Sequence, residues 1–159
     1  MTDFLQKPGT NGFLTTPFNL LTTELNALAN NASAVSSVGG TSGVFSQTNW
    51  ASGIWGISHF KAGGAFTPTV GGYLAVWFLY SPDGGTTFEK VVSGTDLPRS
   101  PDIMIPLYVS AHATNDLVQA SGILRLAWWS HKIFVVNHSG VSLPATGNII
   151  QGASVAVAY

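Results

Sequence analysis

Seven carboxylates, four histidines and no cysteine set the limits of any chemistry this chain of 159 residues can do. Glycoside hydrolysis needs two carboxyl groups facing each other at a set separation. The available ones are Asp3, Glu24, Asp83, Glu89, Asp96, Asp102 and Asp116. Asp3, Glu24 and Asp83 already have places in an arm, a helix and a turn. Asp96 and Asp102 flank the proline-rich stretch Asp96-Leu97-Pro98-Arg99-Ser100-Pro101, where each can cap a turn or pair with Arg99. No Asp-x-Asp run supplies the clustered oxygens that calcium needs. The histidines, His59, His112, His131 and His138, never fall at the i, i+2 or i, i+4 spacing of a strand or helix metal site. No Gly-x-Ser-x-Gly elbow presents a serine nucleophile. The expectation is therefore a protein that is not an enzyme and carries no metal or cofactor.

One local pattern is specific. Ser81-Pro82-Asp83-Gly84-Gly85-Thr86-Thr87-Phe88 matches the Asp-box of sialidases and other β-proteins. Its Asp83 caps backbone N–H groups, Gly84 and Gly85 supply positive φ, and Phe88 anchors the turn beside Ser81. The pattern occurs once, and its role is structural. Before it lie eight apolar residues, Tyr73 to Tyr80, too few to cross a membrane and rich in aromatic and branched side chains. They read as a strand buried on both faces. The Asp-box then folds the chain back through Thr86 to Lys90 as a hairpin.

The elements around this centre follow from periodicity and breakers. Residues 1–15 are a polar arm with isolated Phe4, Leu5, Phe13 and Leu14, an arm that docks on its own body or on a neighbour. Thr16-Pro17 reads as a helix start, and Phe18, Leu21, Leu25 and Leu28 follow at helical spacing, so a short helix is expected over about 17–30. From there to the C-terminus, short strands alternate with Gly, Pro, Asn and Ser clusters. They are expected at 34–38, 43–48, 54–61, 73–80, 103–110, 122–129, 132–137 and 148–159. Pro106 places its strand at an edge or a bulge. The fold class is all-β: a jelly-roll-like antiparallel β-sandwich, one domain over 16–159, with one short N-terminal helix and an extended N-terminal arm.

Composition then narrows the partners. Only 8% of the residues are charged, against about 25% in an average chain. Six Lys and Arg and a net charge of −1 form no footprint for nucleic acid. No apolar run reaches the roughly 18 residues of a membrane span, and the N-terminus has no secretory pattern. A surface with so little charge favours association, so a homo-oligomer or another protein partner is expected to cover it. Trp128 and Trp129 are adjacent, so on a strand they face opposite ways and one of them points out of the core. An outward tryptophan can anchor an interface or stack on a sugar; the low charge favours the interface. His138 and Leu143, in the loop region 138–147, and the loop 96–102 complete the candidate contact residues.

Three stretches carry a resemblance: FNLLTTELNALANNASAVSS, WFLYSPDGGTTFEKV and KIFVVNHSGVSLPATGNII. Together they resemble virion structural proteins of tailed bacteriophages, most of all capsid decoration (cement) proteins. The resemblance implies a jelly-roll-type body bound to the phage major capsid protein on the outside of the virion, assembled in the host cytoplasm. A tail or fibre component bound to tail proteins, or a lectin-like carbohydrate-binding module, is the alternative. No catalytic residue comes with it.

Overall fold

The computed structural model describes residues 18–36, 55–107, 111–114, 116–119, 124–125 and 130–155. The expected arm 1–15, the strand 43–48, Trp128 and Trp129 lie outside them. The strands are β1 (Phe18–Leu21), β2 (Ser33–Val35), β3 (Trp55–Lys61), β4 (Tyr73–Tyr80), β5 (Ile103–Pro106), β6 (Leu117–Gln119), β7 (Leu124–Arg125), β8 (His131–His138) and β9 (Ile149–Val155). They form two antiparallel sheets. The first has the order β1-β9-β3-β6, with β7 also on β3, and the second the order β2-β8-β4-β5. The pairs β4·β5, β3·β6, β2·β8 and β1·β9 nest inside one another along the chain. The chain is thus a doubled ribbon, its first half paired with its second.

The all-β expectation holds, and β4 is buried along Leu74–Leu79 with only its end residues half-buried. Alternation divides its side chains between two cores. Leu74, Val76 and Phe78 meet Leu20, Phe60, Ile133, Val135 and Ile150 between the sheets. Ala75, Trp77 and Leu79 face the other way, with Phe134, Val136 and Leu97. Each fully buried large apolar side chain of this kind stabilises by roughly 1.5–3 kcal/mol.

Two expected elements are corrected. Residues 18–30 are not a helix but β1, a single 3-10 turn at Thr23–Leu25 and a loop. The apolar stripe is real, since Leu20, Leu21 and Leu25 are fully buried and Leu28 nearly so. A register shift between Asn19 and Leu21 lets two neighbouring leucines both turn inward, which a regular strand forbids. Ala27 and Asn31 adopt left-handed backbone, with φ of 53° and 60°, and end any helical continuation. A helix this short is marginal alone, and β9 offers the segment a strand partner instead.

The second correction concerns the hairpin. The chain does turn at the Asp-box, but 86–92 forms no strand. β8 flanks β4 along its whole length and β5 only at Tyr73–Val76; past Val76 the open edge is taken by side chains, Arg99 on the Phe78 carbonyl and Asp102 on its N–H, and not by a returning strand.

Two buried amides hold the loops between the sheets. Asn148 accepts from the Gly63 N–H at 3.1 Å and donates to the carbonyls of Pro144 (2.6 Å) and Leu25 (3.3 Å). Asn137 donates to the carbonyls of Leu28 and Val141 and accepts from the Ser139 N–H. Side chains at the end of β8 and just before β9 thereby add to the backbone bonds that the Leu25 and Leu28 carbonyls accept from the Leu28 and Leu143 N–H groups. Gly63 lies so close to 146–147 that a Cβ there would overlap the Thr146 carbonyl oxygen and Gly147. Asn148→Ala takes the acceptor from the Gly63 N–H and leaves the Leu25 and Pro144 carbonyls with only the Leu28 and Ala27 N–H groups, and is expected to cost about 1–3 kcal/mol, measured by urea denaturation. The exposed Asn19→Ala serves as reference, at within about 0.5 kcal/mol of wild type. Equal losses for the two would show the Asn148 bonds to be idle.

Candidate functional site

The outer face of the second sheet is covered by residues 81–102, a strap with no strand of its own. It gathers more of the expected turn and contact residues than any other described part of the molecule. Its first turn is the Asp-box. The Ser81 hydroxyl donates to Asp83 Oδ1 at 2.7 Å and accepts from the Gly85 N–H at 2.7 Å. Asp83 Oδ1 also accepts the N–H groups of Thr87 (2.8 Å) and Thr86 (3.1 Å), and Oδ2 takes the Thr87 hydroxyl at 2.7 Å. Gly84 sits at φ 74°, which a side chain would strain. The Asp83 carboxyl is held well below the usual carboxylate range, first by the Thr87 N–H and then by the Ser81 and Thr87 hydroxyls.

Beyond the turn, Phe88, Val91 and Leu97 cover Trp77 and its neighbours. Trp77 and Phe134 pack with ring centroids 5.6 Å apart, and the Lys132 ammonium lies 4.6 Å from the centre of the Phe88 ring. The Trp77 indole N–H donates to the Arg99 carbonyl at 3.1 Å. This satisfies the one polar atom of a side chain that is 0% exposed.

Arg99 is the hub. Its guanidinium donates to Asp102 Oδ2 (2.9 Å), to the Phe78 carbonyl (2.9 Å) and to Glu89 Oε2 (3.1 Å). Asp102 accepts the Phe78 N–H at 2.7 Å. The arginine and the aspartate together therefore take the backbone groups of β4 just past the point where β5 stops pairing with it. Although burial opposes the charge, the bonds to Glu89 and Asp102 raise the pKa of Arg99 above its ordinary value. Burial, followed by the negative Asp102, raises that of Tyr80.

A second fastening joins the strap to the end of β8. His138 Nε2 lies 2.7 Å from Asp96 Oδ1, its Nδ1 3.3 Å from Asn31 Oδ1, and its ring 4.9 Å from that of Tyr73. The Gly94 N–H donates to the Ser33 hydroxyl of β2 at 2.8 Å.

The structure thus brings together His138, the Asp-box residues and the loop 96–102. Leu143 is corrected: it is 3% exposed and belongs to the inter-sheet core, so it cannot serve as a contact residue. The candidates Phe4, Leu5, Phe13, Leu14, Trp128 and Trp129 lie outside the described residues. Of the two pairings left open for Asp102 and Asp96, Asp102 takes Arg99 and Asp96 takes His138. The hub role of Arg99 was signalled only by its i, i+3 spacing to Asp102. The roles of Tyr73 and Asn31 had no sequence signal, since both depend on strand register.

Among the described residues no group of three His, Cys, Asp or Glu could hold a metal ion. Nor is any helix there long and apolar enough to cross a membrane. Comparison with protein-family models, curated proteins and solved structures finds no match.

A carboxyl with a lowered folded-state pKa contributes stability above its unfolded pKa of about 3.9 and loses that contribution as pH falls toward the folded value. The Thr87 amide resonance is therefore expected to stay flat from about pH 6 to about pH 3 and to move only below that. An inflection near pH 4 would mean that Asp83 is not held by the turn.

Proposed function

We propose that this protein is a non-enzymatic structural component of a tailed-phage virion, bound outside the capsid as a decoration (cement) protein. Its proposed partners are the major capsid protein and further copies of itself. The observation that carries this reading is the distribution of charge. Six of the thirteen charged residues stand in the strap: Asp83, Glu89, Lys90, Asp96, Arg99 and Asp102. The five strands of the first sheet contain only Lys61 and Arg125 and no carboxylate. Removing water from charge is costly, and the buried centres of interfaces are depleted of it. A body with its charge concentrated in one layer and a first sheet that holds only two charged residues suits a protein that stands on a particle with its charged side turned to solvent.

Architecture supports the same reading. We take the body to be a jelly roll, wound from the doubled ribbon of nested pairs. In this winding successive strands pass back and forth between the sheets, as β1, β2, β3 and β4 do here. Jelly rolls are common in viral capsid domains. They also house lectins, which keeps a carbohydrate-binding module as the second reading beside a tail or fibre component.

Purified protein added to expanded phage heads lacking it is expected to co-sediment with them and to raise their resistance to heat or chelator. A monodisperse monomer that leaves the heads unbound and unprotected would overturn the proposal. The sugar-binding reading instead requires glycan-array signal that disappears in Trp128→Ala or Trp129→Ala.

A further inference from the structure

The strap is attached to the body differently from every strand. Its start is fixed by the Ser81 N–H on the Ser130 carbonyl at 2.8 Å, and its end by the β5 ladder from Ile103 onward. Between these points, among the described residues, no backbone–backbone hydrogen bond joins 82–102 to either sheet. The polar connections across the layer all use a side chain. Arg99 carries two of the five among the described residues, through its guanidinium to Phe78 and through its own carbonyl to Trp77; Asp102, Gly94 and Asp96 make the others. Most strap residues are exposed, whereas the sheet face beneath is closed. Few buried apolar contacts and no ladder bonds are the features of a segment that opens below the free energy of global unfolding.

We infer that residues 81–102 are a detachable third layer that lifts from the second sheet as one unit while both sheets stay folded, with Arg99 as the clasp. The unit is cooperative because one residue holds several points. Losing the Arg99 contacts frees Glu89, the Phe78 carbonyl and the Trp77 indole together, and leaves Asp102 without its cation. The open form bares an apolar strip of Ala75, Trp77, Leu79, Phe134 and Val136. The same body then presents two surfaces, a charged one when closed and an apolar one when open.

Three N–H groups donate across the layer at separate points and report the opening: the Trp77 indole to the Arg99 carbonyl, the Phe78 amide to Asp102 and the Gly94 amide to Ser33. Native-state hydrogen exchange read by NMR, in low concentrations of urea, tests the inference on the wild-type chain. The three groups are expected to share one opening free energy and one shallow urea dependence. Both should lie below those of the Ala75 and Phe134 backbone amides in the β4·β8 ladder. In Arg99→Ala all three are expected to exchange about tenfold faster or more, with Arg99→Lys between, because an ammonium cannot reproduce the forked contacts. The Thr86 and Thr87 amides, bonded only within the Asp-box, should change little. Exchange of the three groups at the rate and urea dependence of the Phe134 amide would overturn the inference, because the strap would then open only with the whole molecule. Three unrelated opening free energies would overturn it as well, because the segment would not be a unit. Both outcomes are read on the wild-type protein, whether or not the variants fold.

Discussion

Everything in this molecule depends on β4 being apolar on both faces. A strand in a two-layer protein can turn one face to water, but Tyr73–Tyr80 has no face that water would tolerate. The facing sheet covers Leu74, Val76 and Phe78. Trp77 and its neighbours need something else, and the chain supplies its own connection between β4 and β5 as a third layer. The Asp-box matters because it sends the chain back across that face immediately after β4 ends. The proline-rich stretch matters because it carries Arg99 and Asp102 to the unpaired edge of β4. An edge left open there would offer its N–H and C=O groups to another chain, and two side chains close it.

The same economy governs the loops. Two antiparallel sheets leave loops at their ends, where backbone groups need partners. Asn137 on β8 and Asn148 just before β9 meet that demand and tie down the loop 25–31 and the segment 138–148. A protein with 8% charged residues has few ion pairs to spend on fastening loops. Amides, which donate and accept at once, take that task.

Several features were legible in the residues themselves. The buried run of β4, the Asp-box and the strands β3, β8 and β9 all follow from local composition and spacing, whereas which of Asp96 and Asp102 pairs with Arg99 was left open. The segment 18–30 misled because an apolar stripe at helical spacing is also what a bulged strand followed by one 3-10 turn presents to a core. Leu20 and Leu21 decide between the two, and their joint burial depends on a register shift against β9 that no local pattern records. Leu143 misled for a related reason: in a polar loop an isolated leucine reads as a contact residue, yet the loop folds it inward against Leu28. The short β6, Leu117–Gln119, was missed because three residues carry no period.

The Tyr73–Tyr80 run by itself determined that this strand had to be covered twice and that the chain had to turn at Ser81. Both are consequences of side-chain hydrophobicity and of Gly and Asp turn chemistry, which act over a few residues. What covers each face was decided only by the tertiary structure. β8 takes one edge of β4 and β5 half of the other, the rest of that edge is met by Arg99 and Asp102, and the returning segment lies across the face as a layer. The identity of the clasp was decided there too, because Arg99 meets Phe78 only once the two have been brought together across 21 residues of chain. Hydrogen-bond partners at that separation are fixed by register and topology, and neither is written in a local pattern.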